Sequence, residues 1–325
     1  KDVFLHKASP YMADNWVAPG EAWRQIVDSS EILAPEDLQD MPYGHSEIGL
    51  TAFAGYEKLT DGAEARQSTI GQGYPWQIKV DEYGVSASIV DRMLEAWNAR
   101  SEIERMAVKF AREAIEHAKT FKDAWVANML QDGTLTAGSQ EYFDQSYGAH
   151  ADPYPKFIYD GLPWFDTAHP LKYTGTTYSN HTASLALTPD NLQTVLVAMR
   201  TTNAYDDRGN RIIVRPTKLI VGADLESTAE RLLNSELLPG SGNNDKNFLR
   251  NKVRLVVNDN LTASGAWWVS TDRSGMKVVE DTGSAPRFAS WREEGIRTTM
   301  FRSIIRWGAA PYDARAMYCA NKSAG

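Results

Sequence analysis

Hydrophobic positions in residues 98–131 recur at steps of three and four, the spacing of one face of an α-helix. The segment contains neither proline nor glycine. Its recurring apolar residues are Ile103, Met106, Phe110, Ala114, Ala118, Phe121, Trp125 and Met129. The pattern predicts a single helix of roughly 45–50 Å, about three times the usual globular length. Gly133 is expected to end it in a left-handed conformation.

Alternating and β-branched segments on either side of this helix predict strands, and two further amphipathic stretches predict helices. Thr188 and Pro189 have the residue types of an N-cap and a first helical position. The predicted strands are 50–56, 77–88, 211–214, 218–221, 253–257, 266–270, 278–280, 288–291 and 295–307. The predicted shorter helices are 21–27, 188–199 and 225–235, and another helix could start at Pro35.

Two segments are not predicted to pack against the helices and strands of their own chain. Residues 1–45 carry four prolines and no periodicity, which predicts an extended arm that a neighbour must order. The polar stretch between strands 50–56 and 77–88 is long for a hairpin tip. We interpret it as a projecting excursion that finds its partner on another molecule, because a two-stranded ribbon is marginal alone. A lid or an ordinary surface hairpin is the alternative.

Length, net charge, aromatic content and the single cysteine limit the classes of protein to which this chain can belong. A chain of 325 residues fits two or three subdomains. The net charge of −8 argues against tight phosphate neutralisation. Ten tryptophans and fourteen tyrosines fit either interfaces or a large aromatic core. Cys319, the one cysteine, cannot form an internal disulfide and is predicted to be a small buried hydrophobe. No apolar run approaches the roughly 18 residues of a membrane span.

Catalytic motifs are absent from the sequence. None of the six histidines has a metal-ligand spacing such as HExxH. No glycine-rich phosphate loop and no GxSxG nucleophile turn occurs. We therefore predict no enzyme and no catalytic, cofactor-binding or metal-binding residue. The alternative is a soluble hydrolase that uses His169, His181 and a nearby acid, or a metal bound in the same loop-rich region.

Three stretches of the chain resemble a known family. They are WFDTAHPL (164–171), SNHTASLALTPDNLQTVLVAMR (179–200) and DDRGNRIIVRPTKLIVGADLESTAERLLNS (206–235). In their order and spacing they resemble the major capsid proteins of tailed double-stranded DNA bacteriophages, and in particular the Mu-like major head subunits. YGVSASIVDRML (83–94) also resembles that family's entry into its long helix. The resemblance covers about residues 80–325, and the first 80 residues match in organisation rather than in motif.

The resemblance implies an α+β fold, the Hong Kong-type tailed-phage capsid fold. Its parts would be an N-terminal arm (1–45), an E-loop (46–88), a P-domain with the long helix on a long antiparallel sheet (89–185), an A-domain (186–285) and P-domain return strands (286–325). It implies hexamers and pentamers that close into an icosahedral shell around the phage DNA, which is contacted non-specifically. A start at Lys1 is what a maturation protease would leave.

The implied partners are further copies of the chain, a portal, and scaffold, protease and decoration proteins, without any membrane or cofactor. The location would be the virion head, assembled in the cytoplasm of a bacterial host. Intersubunit contacts are expected at the E-loop, at the A-domain turn and at a second A-domain loop. The residues are Lys58, Thr60, Asp61, Gly62, Glu64, Arg66, Asp206, Asp207, Arg208, Asn243 and Asn244. An encapsulin-like compartment that holds enzyme cargo shares the fold and is the nearest alternative.

Overall fold

A computed structural model describes most of the chain. The described residues are 22–33, 44–50, 72–90, 92, 100–134, 158, 160, 162–238, 245–280, 287–293, 295 and 297–323. Their helices are α1 (Ala22–Ile26), α2 (Arg100–Asp132), α3 (Pro189–Arg200) and α4 (Glu226–Asn234). Their strands are β1 (Ile32–Leu33), β2 (Gly44–Leu50), β3 (Gln72–Lys79), β4 (Asp81–Val90), β5 (His169–Pro170), β6 (Thr177–Tyr178), β7 (His181–Thr182), β8 (Pro216–Val221), β9 (Arg254–Val257), β10 (Trp267–Thr271), β11 (Met276–Glu280), β12 (Arg287–Glu293), β13 (Thr298–Pro311) and β14 (Met317–Ala320).

The predicted long helix is confirmed as α2, which is 33 residues long. Its predicted apolar face is buried at Ala114, Ala118, Trp125 and Met129. The helix is amphipathic, so most of its stability comes from packing this face and not from helix propensity.

The prediction for Gly133 is wrong, because its φ is not positive. A Cβ at this position would lie 2.7 Å from the ring of Phe165. The backbone nitrogen of Phe165 donates to the carbonyl oxygen of Gly133 at 2.8 Å. Glycine is therefore required by the close approach of Phe165 and not by the backbone conformation.

A first five-stranded sheet packs against α2. Its order is β1-β11-β13-β12, with β4 paired to the other edge of β13. Aromatic contacts join helix and sheet: Tyr83 lies 4.8 Å from Phe121 and 5.5 Å from Trp125 between ring centroids, and Phe110 lies 6.4 Å from Phe301. Such edge and tilted pairs stabilise a core beyond the area that they bury.

A second five-stranded sheet has the order β7-β14-β10-β8-β9. One face, with Ile220 and Trp268, belongs to the core that α2 also lines. The opposite face, with Leu219 and Trp267, packs under α3 and α4. Cys319 in β14 is fully buried, which raises the pKa of its thiol and agrees with the predicted small hydrophobe.

The predicted helices at 188–199 and 225–235 are confirmed as α3 and α4. Thr188 is the N-cap of α3, since its hydroxyl accepts a hydrogen bond from the nitrogen of Asn191 at 3.3 Å. Pro189 occupies the first turn. The cap and the proline are local signals, which is why the start of this helix is readable from sequence.

The predicted strands 77–88 and 211–214 need correction. The predicted strand 77–88 is broken at Val80, so that β3 pairs with β2 while β4 pairs with β13. Residues 211–214 form no strand. Tyr205 and Arg211 make only an isolated bridge, and the segment has no further strand beside it. Of the predicted strand 50–56, only Leu50 lies within the described residues, where it ends β2.

The tryptophans belong mainly to the core. Trp23, Trp125, Trp164, Trp267, Trp268 and Trp307 are each at most 9% exposed, whereas Trp291 is 37% exposed. Of the two interpretations of the aromatic content, the described residues favour the large aromatic core. Within the described part of the chain, no helix combines the length and the apolar character that a membrane crossing requires.

Candidate functional site

Residues 22–33, called here the N-terminal segment, pack on the chain's own core. Trp23 is fully buried and meets Trp307 edge-on, with ring centroids 5.1 Å apart. The backbone nitrogen of Trp23 donates to Asp123 Oδ1 of α2 at 2.8 Å. The expectation that a neighbour orders the arm is therefore wrong for these residues. Trp23 and Ile26 supply an apolar contact that the proline-rich composition hides.

A buried ion cluster joins the N-terminal segment to α2 and β11. The carboxylate of Glu280 accepts hydrogen bonds from the ammonium of Lys122 and from the guanidinium of Arg24. The Lys122 side chain is 2% exposed, and its Nζ lies 5.3 Å from the centroid of the Trp307 ring. Removing one partner of such a cluster leaves a buried charge uncompensated, which costs about 3–5 kcal/mol.

Glu31 makes a second buried junction with the turn between β10 and β11. Glu31 is 1% exposed. Its Oε2 accepts hydrogen bonds from the nitrogen and the hydroxyl of Ser274, and its Oε1 accepts from Gly275 N at 2.9 Å and Tyr312 Oη at 3.2 Å. Oε2 also accepts a hydrogen bond from the nitrogen of Asp28 at 3.2 Å. A carboxylate with five donors satisfies its buried charge without a counter-ion in contact.

The second sheet also holds the N-terminal segment. Lys218 Nζ donates to the carbonyl oxygens of Ile26 and Asp272, both at 2.8 Å. Burial, followed by the nearby charge of Arg254, lowers the pKa of Lys218. Arg254 donates to the carbonyl oxygen of Gln25 at 2.9 Å. The N-terminal segment therefore contacts α2 and both sheets.

The burial of these charged residues could not be predicted from the sequence. Lys122, Glu280 and Glu31 are all buried, although lysine and glutamate are almost always exposed unless paired. A local signal exists for the two glutamates: Ile32 and Leu33 follow Glu31, and Val278 and Val279 precede Glu280. The partners lie far away in the chain, so the sequence analysis missed all three.

Gln131 connects the end of α2 to the loop between β9 and β10. Its Oε1 accepts hydrogen bonds from Thr262 N at 2.8 Å, Thr262 Oγ1 at 2.9 Å and Ala263 N at 2.9 Å. Its Nε2 donates to the carbonyl oxygen of Asn260 at 3.2 Å. One buried amide thereby fixes the second sheet against the long helix.

Three of the predicted contact residues lie in a described turn. Asp206 is 8% exposed, and its Oδ1 accepts hydrogen bonds from the nitrogens of Arg208 and Asn210 at 2.9 and 2.8 Å. Asp207 Oδ1 lies 3.4 Å from Arg315 Nη1. The guanidinium of Arg208 lies 5.2 Å from the centroid of the Tyr173 ring. All three shape the turn within their own chain, and their intersubunit role stays a prediction.

The remaining predicted contact residues fall outside the described ranges. They are Lys58, Thr60, Asp61, Gly62, Glu64 and Arg66 in the E-loop, with Asn243 and Asn244 in the second loop.

An open groove of about 560 Å³ lies beside this turn. Its walls are residues 212–215, 271–273, 312–313 and 315–316. Ile213 on its wall is 84% exposed. Arg215 and Arg273 are exposed, so the groove combines an apolar side chain with cations.

His169 is fully buried, and both ring nitrogens face oxygen atoms: Nδ1 lies 2.7 Å from Asp160 Oδ2 and Nε2 lies 3.1 Å from Asn180 Oδ1. Asn180 is held in turn by its donation to the carbonyl oxygens of Trp164 and Ala314, at 2.8 and 2.9 Å. His181 is 4% exposed, with Nε2 at 2.6 Å from the carbonyl oxygen of Lys322. These contacts are those of structural histidines.

Metal ligation was the other alternative for this region. Among the residues that the structure describes, no group of three His, Cys, Asp or Glu side chains could hold a metal ion.

Comparisons with known proteins agree with the fold. The family model described as phage capsid protein matches residues 76–320. The capsid of Ralstonia phage GP4 is similar in structure, with a TM-score of 0.51 and 13% identity over 91% of this chain and 86% of that chain. The mature capsid of bacteriophage PhiM1 has a TM-score of 0.50 and 13% identity over 92% of this chain and 86% of that chain. No curated protein matches in sequence.

Proposed function

Since the chain belongs to the phage capsid protein family and is a structural major capsid protein, we propose that it assembles as hexamers and pentamers. These capsomers close into an icosahedral shell around a double-stranded DNA genome. The observation that carries the proposal is the family match across residues 76–320. The assignment to the Mu-like type stays a prediction.

The domain organisation of the chain is part of the proposal. We assign residues 1–45 to an N-terminal arm, 46–88 to an E-loop, 89–185 and 286–325 to a P-domain, and 186–285 to an A-domain. The ladder between β2 and β3 supports a two-stranded excursion, and the ladder of β12 with β13 supports a P-domain sheet. The role is structural and not catalytic, which fits the buried histidines of the loop-rich region.

The proposed partners are further copies of the chain, a portal, and scaffold, protease and decoration proteins, met in the host cytoplasm. The packaged DNA is contacted without sequence preference. The net charge of −8 fits a container whose wall does not condense on its contents. Each contact between subunits is weak, and closure of the shell multiplies many such contacts.

Electron microscopy combined with sedimentation tests this proposal on the chain co-expressed with scaffold and protease proteins. Closed shells, or rings of five and six subunits, are the expected result. A monomer or dimer that persists under these conditions would overturn the proposal. Shells that enclose a specific cargo protein, and no DNA after packaging proteins are supplied, would instead identify an encapsulin-like compartment.

A further inference from the structure

Apart from Glu230 and Arg231 on α4, the exposed charges of residues 186–280, in the described part of the chain, are sorted to the two ends of the second sheet. β8 and β9 run parallel, in register from Lys218 beside Arg254 to Val221 beside Val257. Both strands therefore begin at one end of the sheet and finish at the other. We call the first the basic end and the second the acidic end.

The basic end is built where β8 and β9 begin. Arg215 directly precedes β8, and Arg254 is the first residue of β9. Arg273 follows β10, which runs antiparallel to β8. The exposed cations of this end, within the described residues, are Arg200, Arg211, Arg215, Lys246, Arg250, Lys252, Arg254 and Arg273. The exposed carboxylates there, on the same basis, are Glu236, Asp245 and Asp272.

The acidic end is built where β8 and β9 finish. Asp224 follows β8 and Asp259 follows β9, and Asn258 N donates to the carbonyl oxygen of Val221 at 3.0 Å, so that these two exits lie together. Glu226 begins α4 at this end.

α3 begins at this end as well. Trp267, which pairs with Val221, donates from Nε1 to the carbonyl oxygen of Leu185 at 2.8 Å. Asp190 in the first turn of α3 is therefore a further exposed carboxylate of the acidic end. In the described part of this end, the one cation is the half-buried Lys322.

Helix dipoles account for only part of this arrangement. Carboxylates in the first turn of a helix are favourable, as with Asp190 and Glu226. Asp259, Arg215 and Arg273 lie on strand exits and loops, where no helix end requires their charge. Six residues of β8 separate the two ends by about 20 Å, which exceeds the Debye length of about 8–10 Å, so the opposite charges of one copy do not offset each other and each end can attract a second molecule.

We propose that the basic end of one copy of the chain docks against the acidic end of the next copy. A second copy is the occupant because it presents the complementary charge at equal stoichiometry. The contact uses different surfaces on the two copies, so it is heterologous and can close into a ring. Ile213, 84% exposed on the groove at the basic end, supplies its apolar part. The inference rests on the proposed shell function and names the charge pattern that orders subunits in a ring.

The test reverses the charge of each end in the full chain. One variant carries Arg200→Glu, Arg211→Glu, Arg215→Glu and Arg273→Glu, which leaves fewer exposed cations than carboxylates at the basic end, and the other carries Glu226→Lys with Asp259→Lys. Each is co-expressed with the scaffold and protease proteins and examined by sedimentation velocity and electron microscopy. We expect each variant alone to lose at least tenfold of its rings and shells, because like charges then face each other. A chain with all six substitutions should recover to within about threefold of wild type, because its two ends again carry opposite charges.

Mixing the two variants gives a sharper outcome. One has two acidic ends and the other has two basic ends, so they can associate only by alternating. The mixture should form six-membered rings and no five-membered rings. Arg105→Glu, Lys109→Glu, Arg112→Glu and Lys119→Glu on α2 make the same change in net charge as the basic-end variant, away from both ends, and should assemble normally. Thermal unfolding of every variant checks that it is folded.

The outcomes separate this inference from the proposed function. A wild-type chain that does not assemble overturns both. If the wild-type chain forms shells but the six-substitution chain and the mixed sample assemble no better than the single-end variants, this inference alone is overturned. An equal loss in the α2 control attributes the effect to net charge and overturns it as well.

Discussion

Glu31 accepts hydrogen bonds from both the nitrogen and the hydroxyl of Ser274, at 2.7 and 2.8 Å, although 243 residues separate the two in the chain. Glu31 follows the short helix α1, and Ser274 precedes β11. The parallel pairing of β1 with β11 continues from this junction. One carboxylate thus sets where the N-terminal segment joins the first sheet.

Replacing Glu31 with glutamine should destabilise the fold by about 3 kcal/mol. The amide nitrogen cannot accept a hydrogen bond, so at least one of the nitrogens of Ser274 and Gly275 or the Tyr312 hydroxyl would lose its partner. Urea unfolding measures the change. Glu236→Gln is the control, since Glu236 is exposed and pairs with Arg250 on the surface, where about 0.5 kcal/mol is expected. Equal effects in the two variants would contradict the prediction.

Lys122→Met should lower the free energy of unfolding by about 3–5 kcal/mol. The buried carboxylate of Glu280 would retain Arg24 but lose the ammonium that faces it from α2. Thermal and urea unfolding provide the measurement. Lys109→Met on the same helix removes a cation that is 76% exposed and paired with Glu113, so a change within about 0.5 kcal/mol is expected. A Lys122 variant as stable as the Lys109 variant would refute the prediction.

Gly133→Ala should destabilise the chain by about 1–3 kcal/mol, because the added methyl group overlaps the ring of Phe165. Gly295→Ala is the matched control, since a Cβ there meets nothing within 4 Å. Calorimetry compares the two unfolding temperatures. Adding Phe165→Leu to the Gly133 variant should reduce the cost of the alanine. If Gly133→Ala costs the same stability with phenylalanine as with leucine at position 165, the close approach of the ring is not the cause of the cost.

Asp132→Asn should stabilise the chain at neutral pH by less than about 1 kcal/mol. Burial raises the pKa of Asp132 above its ordinary value of 3.8, and Lys322 opposes this only in part. The charged form is therefore the costly one in the folded state, and the carboxylate also lies in the last turn of α2. Below pH 3.8 the Asp132 carboxyl is mostly protonated in both the folded and the unfolded chain. The gain in stability should therefore vanish there.

Asp190→Asn provides the control for Asp132→Asn, because the Asp190 carboxylate lies in the first turn of α3, where negative charge is favourable. This substitution should give no gain in stability at pH 7. A gain from Asp132→Asn that persists at pH 3 would rule out the electrostatic explanation.

The helices of this chain could be predicted because their signals are local. α2 follows from an apolar period that neither proline nor glycine interrupts, and α3 follows from Thr188 and Pro189. The break between β3 and β4 could not be predicted, since the sequence continues as strand through Val80. It arises because the residues before Val80 pair with β2 and those after it pair with β13, which lies more than 200 positions away.

The contacts of the N-terminal segment with the rest of the chain could not be predicted for a related reason, since their partners are also distant in sequence. The helix at 21–27 was predictable and is confirmed as α1, but its packing depends on Trp307, Asp123 and Glu280. Proline content suggested an arm that needs a neighbour, while Trp23 supplies the apolar contact that keeps it on its own chain. Composition reports how much apolar surface a segment has on average, and a single tryptophan can outweigh that average.

The length of β13 has a mechanical consequence. Ten consecutive residue pairs join it to β4 on one edge, and seven join it to β12 on the other. Hydrogen bonds between antiparallel strands lie perpendicular to the strand axis. A pull along β13 therefore loads these bonds in shear, all at once, and no single bond can fail ahead of the rest. In the proposed shell, each subunit would therefore resist stretching along β13.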